Sequence, residues 1–133
     1  MPTFKTLEDI EVWKLARELA KEIFEETQKG TFLKDFDHIN QINRSSGSTV
    51  DNIAEGFGRG GNKEFTNFLT YSMGSANEVK SQIYRAFDKR YFNKERFEYY
   101  FQKNEFVINK LKNLISYLNQ SEHKGFKFKS RTN

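Results

Sequence analysis

The only proline of this chain stands at position 2, and 131 residues follow without another. Proline removes a backbone donor and breaks helices, so its absence lets one hydrophobic period run almost uninterrupted. That period is helical, and it predicts four segments. The first runs from about Leu7 to Gln28, opened by the capping-box pattern Thr6-Leu7-Glu8-Asp9 and closed by Lys29-Gly30, with Val12, Trp13, Ala16, Ala20, Ile23, Phe24 and Thr27 inward. The second, about Asp35 to Phe57, turns Phe36, Ile39, Ile42, Asn43, Ser46, Val50, Ile53, Ala54 and Phe57 inward and ends at Gly56 and Gly58. The third starts at Asn62, a good N-cap, and runs to about Arg90 on Phe65, Phe68, Leu69, Ser72, Ala76, Val79, Ile83, Ala86 and Phe87. Asn93 caps the fourth, whose Phe97, Tyr100, Phe101, Val107, Ile108, Leu111, Leu114, Ile115 and Leu118 recur as a near-heptad seam.

Long helices joined by short links lie antiparallel to their neighbours, so the expected fold is all-α, an antiparallel up-down-up-down four-helix bundle. It takes residues 1–121, and a basic C-terminal tail takes 122–133, where the helical pattern lapses and the chain reads as irregular. Aliphatic residues are modest in number, but 14 Phe, 6 Tyr and 1 Trp bury large areas each, and 133 residues suffice for one core rather than two. Within the second helix, Arg44-Ser45-Ser46-Gly47-Ser48-Thr49 is a poor helix by propensity. Its small side chains predict close approach of a neighbouring helix.

With no Cys, neither a disulfide nor a thiolate metal site can form, which suits a reducing cytoplasm. No apolar run is long enough to span a membrane, and no apolar leader follows Met1. Charge is uneven: residues 1–60 hold 8 Lys+Arg against 11 Asp+Glu, and residues 61–133 hold 14 against 7. A basic half can attract phosphates or an acidic protein surface, or can be a solvated face.

Catalytic and metal-binding patterns fail one by one. The cluster Gly56-Phe57-Gly58-Arg59-Gly60-Gly61 follows a helix rather than a strand and lacks the Gly-Lys-Ser/Thr ending of a phosphate loop. It reads as an interhelical turn built on Glu55, Gly56, Gly58 and Asn62, with Glu55 and Arg59 pairing across the helix end. Neither His38 nor His123 follows a Glu by three residues, as a di-metal bundle would require. Asp51 and Glu55 share one helical face, but no His or ligand set stands beside them, and Ser45, Ser46, Ser48 and Thr49 lack an adjacent base. No catalytic residue, metal or cofactor is assigned, and the chain is read as a non-enzyme. Arg96, Lys103 and Lys110, seven apart, form a basic stripe on the fourth helix. The stripe either tracks phosphates or pairs with the acidic first helix, where Glu11, Glu18, Glu22, Glu25 and Glu26 stand. In the tail, Phe126-Lys127-Phe128-Lys129 alternates aromatics with cations, a pattern that suits base stacking as well as docking on another subunit.

The run Asn52-Ile53-Ala54-Glu55-Gly56-Phe57-Gly58-Arg59, then Lys63-Glu64-Phe65, Phe68-Leu69 and Gly74-Ser75 with Glu78, resembles the signature of the 23S rRNA-intervening-sequence protein family. So do the opening Leu7-Glu8-Asp9-Ile10-Glu11-Val12-Trp13-Lys14-Leu15-Ala16 and the pair Gln41 and Arg44, the match spanning about residues 4 to 118. The resemblance implies a bundle that assembles as a homo-oligomer, a pentameric ring in similar bundles. It also implies kinship with the accessory variability protein of diversity-generating retroelements, which binds nucleic acid and a reverse transcriptase through a basic surface. This chain departs from the family where Asn43-Arg44 stands in place of two adjacent basic residues, and where Ser45-Ser46-Gly47 replaces an Ala-rich stretch. The expected function is therefore non-enzymatic binding of RNA or DNA, without sequence readout, through Arg44, Arg59, Lys63, Arg96, Lys103 and Lys110. The competing expectation is a protein-interaction scaffold using exposed Tyr71, Tyr91, Tyr99 and Phe126.

Overall fold

The capping box at Thr6 forms around a single 3-10 turn, Leu7–Asp9, rather than opening a long helix. Asp9 Oδ2 accepts the backbone N–H groups of Lys5 at 2.9 Å and Thr6 at 3.0 Å. Buried Ile10 is extended and breaks the chain there, so the first helix begins one residue later than that turn. The structure, a computed structural model, describes residues 4–132, with side chains from 4 to 121. Its helices are α1 (Glu11–Thr27), α2 (Phe36–Arg59), α3 (Asn62–Asp88) and α4 (Lys94–Thr132), with a second 3-10 segment at Gly30–Lys34. The backbone of α4 stays helical through the segment expected to be irregular. Side chains of residues 122–133, Phe126 among them, lie outside the described ones.

Each helix packs on two neighbours: α1 on α2 and α4, α3 on α2 and α4. This is the antiparallel four-helix bundle that the spacing predicts. Antiparallel order is visible in the contacts, since partners run from Asp35 with Lys89 to Thr49 with Ser72 between α2 and α3, numbering rising on one helix as it falls on the other. The core gathers Ile10, Val12, Leu19, Ile23, Phe32, Ile42, Ile53, Leu69, Val79, Ile83, Val107 and Leu111 with Tyr100. Phe24 on α1 and Phe36 on α2, expected inward, are exposed, while Leu19 and Glu26 of α1 are buried. Asn104 completes the α4 seam as a buried polar residue, its amide donating to the Ala76 carbonyl at 2.9 Å.

Small residues bring α2 against α3, as predicted. Ser72 Oγ donates to the Thr49 carbonyl and Ser48 meets Ser75 at 2.9 Å. A Cβ on Gly56 would lie 2.6 Å from Phe68 Cβ. Gly56 therefore sits inside α2 as the point of closest approach and does not end it. Gly58 and Glu55 are helical as well, and the break falls at Gly60, which takes φ +89°. Gly61, not Asn62, is the N-cap of α3. Four residues assigned to the turn thus flank it on the two helices, because helix propensity matters less than the packing that carries α2 past its own glycines.

At the opposite end α3 closes through a Schellman arrangement, with Arg90 N–H on the Phe87 carbonyl and Tyr91 N–H on the Ala86 carbonyl. The left-handed residue is Arg90, at φ +63°. Asn93 does cap α4: its Oδ1 accepts from Arg96 N–H at 2.8 Å. Among the described residues no helix is long and apolar enough to cross a membrane.

Candidate nucleic-acid interface

The basic stripe of α4 faces the carboxylates of α1. Arg96 Nη2 donates to Glu26 Oε1 at 2.9 Å, Lys103 holds Glu18 at 3.0 Å together with Glu22, and Lys110 lies 3.5 Å from Glu11. Of the two readings of that stripe, pairing with the acidic first helix is the one the geometry contains. Glu26 is buried, and its Oε1 also accepts the Tyr100 hydroxyl at 2.7 Å, while Arg96 donates to that hydroxyl oxygen at 2.8 Å. Burial and the Glu26 carboxylate push the Tyr100 phenol far above its usual range. Tyr99 donates to Glu22 and is covered by Arg96 and Lys103. Burial would raise the Glu22 carboxyl, but hydrogen bonds from Lys103 and Tyr99 outweigh it and hold the group low.

The three remaining expected contacts lie on α2 and at the start of α3, all exposed. Arg59 donates to Glu55 Oε1 at 2.8 Å and its guanidinium lies 5.2 Å from the Phe68 ring centre. Phe68 meets Tyr71 edge-on at 5.5 Å, and Tyr71 is 58% exposed. Arg44 and Lys63 have no carboxylate within ion-pair distance among the described residues. Arg59, Phe68 and Tyr71 therefore form one cation-aromatic surface; on the first turn of α3 the helical spacing sets exposed Glu64 on the face of Phe68 and Tyr71 and turns Lys63 away from Phe68, and Arg44 sits four turns from Arg59 on α2.

Tyr91, expected at an outer contact surface, is half-buried. Its ring stacks on Phe32 at 4.6 Å and its hydroxyl donates to Asp35. Around it lies a cluster that the sequence reading missed. Lys89 Nζ donates to Asp35 Oδ2 at 2.8 Å and reaches His38 Nδ1 at 3.1 Å, while His38 Nε2 meets the Gln82 carbonyl at 3.1 Å. An ammonium can only donate and a carbonyl can only accept, so His38 is neutral with its proton on Nε2. Burial is the main cause that lowers the His38 pKa, and the Lys89 charge adds to it. Lys89 and then Tyr91 hold the Asp35 carboxyl far below the usual carboxylate range. A helical count places His38 on the same face as Ile42, Ser45 and Thr49, which is the signal that could have marked it as buried.

Elsewhere, an open cleft of about 530 Å³ at the α2–α3 turn is lined by Phe4, Phe57, Phe65, Tyr117, Leu118 and the Gly60–Gly61 backbone. Among the described residues no group of three or more His, Asp or Glu gathers as a metal site would. Asp51 and Glu55 are both exposed on α2, with Glu55 engaged by Arg59.

Fold and surface together define an all-α four-helix bundle with an apolar core and charged and aromatic side chains on its faces. The chain belongs to the 23S rRNA-intervening sequence protein family, whose model matches residues 8–113. Among solved structures it is similar to a protein of unknown function from the S23 ribosomal protein family of Bacteroides thetaiotaomicron. The two are 23% identical over 83% of this chain and 99% of that one, with a TM-score of 0.75, a likeness of fold. The comparison with curated proteins finds no match.

Proposed function

We propose that this chain is a non-enzymatic, self-associating bundle that binds RNA or DNA without sequence readout. The observation that carries the reading is the joined surface of Arg59, Phe68 and exposed Tyr71. Cations supply phosphate contacts, and an exposed aromatic ring offers a stacking face to any base, which favours single-stranded or looped segments over duplex. Arg96, Lys103 and Lys110 are paired with α1 carboxylates and Arg59 with Glu55, so at each of the four a phosphate has to displace a carboxylate.

The test is titration of a labelled single-stranded oligonucleotide and of a duplex across a salt series, with Arg59→Ala and Tyr71→Ala alongside. Affinity should fall steeply with salt, Tyr71→Ala should lower it by about tenfold, and Glu55→Gln should raise it by releasing Arg59. Binding that is absent at low salt would overturn the proposal. It would leave the protein scaffold, which is favoured by one observation: the most regular basic stripe of the chain is neutralised internally.

A further inference from the structure

His38 is 2% exposed, yet polar groups from α2, α3 and the α3–α4 link gather around its ring. From α3, Lys89 Nζ donates to Nδ1 at 3.1 Å and the Gln82 carbonyl accepts from Nε2 at 3.1 Å, with the Arg85 charge further off. Asp35, the N-cap of α2, brings Oδ2 to 4.0 Å from Nδ1, and the same oxygen accepts Lys89 at 2.8 Å and the Tyr91 hydroxyl. Phe32 of the 3-10 segment and Tyr91 of the link meet the ring edge-on, at 5.2 and 6.0 Å between centroids. Among the described residues, Asp35, Arg85, Lys89 and Tyr91 are thus the titratable groups around this buried imidazole.

Nε2 already donates to a carbonyl, so a further proton can enter only at Nδ1, where the Lys89 ammonium now donates. Protonation there sets two cations 3.1 Å apart with no acceptor between them. The two cations are not placed alike. His38 is buried, and a buried imidazolium needs an anion within reach. The Lys89 side chain is 35% exposed, so its ammonium regains water by rotation of its own stem. The anion is at hand: a shift of about 1 Å brings Asp35 Oδ2 within hydrogen-bond distance of Nδ1. Asp35 Oδ1 keeps the His38 backbone N–H at 3.2 Å, and with it the cap of α2, and Nε2 keeps the Gln82 carbonyl. The ring therefore needs no flip.

We infer that Asp35, His38 and Lys89 form a proton-operated exchange: a proton taken up at His38 Nδ1 transfers the Asp35 carboxylate from Lys89 to the imidazolium and frees the Lys89 ammonium to solvent. The proton enters a buried ring, and the response is read at the surface. Lys89 closes α3 and precedes Arg90, which holds φ +63°. Its pairing with Asp35 ties the end of α3 to the start of α2, so the exchange cuts that tie while the apolar packing of both helices stays in place. The freed cation joins exposed Arg85, Arg90 and Lys94 on the same stretch of chain, and that surface becomes more positive as pH falls. The exchange lies at the end of the bundle opposite the α2–α3 turn and does not rest on nucleic-acid binding.

The experiment uses the full chain with His123→Gln, which leaves His38 as the single histidine. It is titrated from about pH 8 to about pH 4, with NMR of the ring nitrogens, the Lys89 side chain and the backbone amides, and circular dichroism at each step. At neutral pH the ring should carry its proton on Nε2. As His38 takes up the second proton, the Lys89 Cε protons, inequivalent while the ammonium is held, should merge. The amides from Lys89 to Phe92 should shift with the same midpoint, and helix content should hold. Lys89→Met, which keeps the stem and removes the charge, should raise the proton affinity of His38 by about tenfold. Asp35→Asn, which keeps a capping side chain but no anion, should lower it by about the same factor. An Nδ1–H tautomer at neutral pH, Lys89 resonances indifferent to the His38 titration, a proton affinity unmoved by both variants, or loss of helix in the same step overturns the exchange.

Discussion

Gly56→Ala tests how tightly α2 and α3 are held together. The added methyl would stand 2.6 Å from Phe68 Cβ, 3.1 Å from Phe65 Cδ1 and 3.2 Å from the Phe65 carbonyl oxygen. Optimal carbon–carbon contact is about 3.5–4.0 Å, so the helices must part by roughly 1 Å at this level. Phe68 Cβ cannot swing aside, because its position is set by the α3 backbone. Overpacking of this kind costs about 1–3 kcal/mol, while replacing a mid-helix glycine by alanine returns about 1 kcal/mol. A net loss of up to about 2 kcal/mol follows, or a fall of up to roughly 8 °C in Tm for a domain of this size. Gly74→Ala, also inside a helix but with nothing within 4 Å of the new methyl, is the control and should be stabilised by up to about 1 kcal/mol. Urea and thermal unfolding at matched protein concentration separate the two. If Gly56→Ala proves as stable as Gly74→Ala, the close approach of α2 and α3 is wrong.

Acidification should destabilise the protein in two stages. His38 has a lowered pKa in the folded state, so its contribution is complete above its ordinary value of 6.5 and is lost as pH falls through the depressed one. Asp35 acts likewise below its ordinary 3.8. Urea midpoints between pH 7 and 3 should show the first decline, and His38→Gln should remove it. Arg90→Gly should stabilise by up to about 1 kcal/mol in thermal unfolding, since Arg90 holds φ +63° at the end of α3. Lys103→Ala and Lys110→Ala should leave oligonucleotide affinity within about twofold at moderate salt, because each lysine already has a carboxylate partner.

Helix number, order and most inner faces were legible in the sequence because the apolar spacing of α3 and α4 is long and regular. Polar inner positions were read unevenly: Thr27, Ser46 and Ser72 were expected inward and are buried, but Asn104, Glu26 and His38 were not among the expected inner residues. Asn104 falls in the seam between Tyr100 and Val107, the right place for a core residue, yet its amide hid it from a search for apolar side chains. Glu26 and His38 were overlooked for the same reason, although each is buried with its partners on another element. The glycines misled in the other direction. The four glycines of the run from Gly56 to Gly61 look alike in sequence, and only the neighbouring Phe65 and Phe68 make Gly56 an interior contact, leaving Gly60 as the left-handed stop. For the candidate site, the sequence offered two readings of the α4 stripe, and only packing decided for its pairing with the α1 carboxylates.

Those α1–α4 pairs bear on register. From Glu11 to Glu26 along α1, partners fall from Lys110 to Arg96 along α4, so sliding one helix by a turn would strand Glu26, a buried carboxylate, away from Arg96 and Tyr100. An uncompensated buried charge costs about 3–5 kcal/mol, whereas replacing a whole buried ionic group by apolar residues is often neutral or stabilising. The hypothesis is that the triad sets register more than stability. Arg96→Ala alone should then destabilise by about 2 kcal/mol, reduced from the buried limit because Arg96 is 42% exposed. The triple replacement Glu26→Leu, Tyr100→Phe and Arg96→Met should unfold at the same or higher urea concentration, yet show broadened amide resonances and faster hydrogen exchange along α1 and α4. A triple variant with amide spectra as sharp as the parent would refute the register role, and one as unstable as Arg96→Ala would show that the triad stabilises the bundle outright.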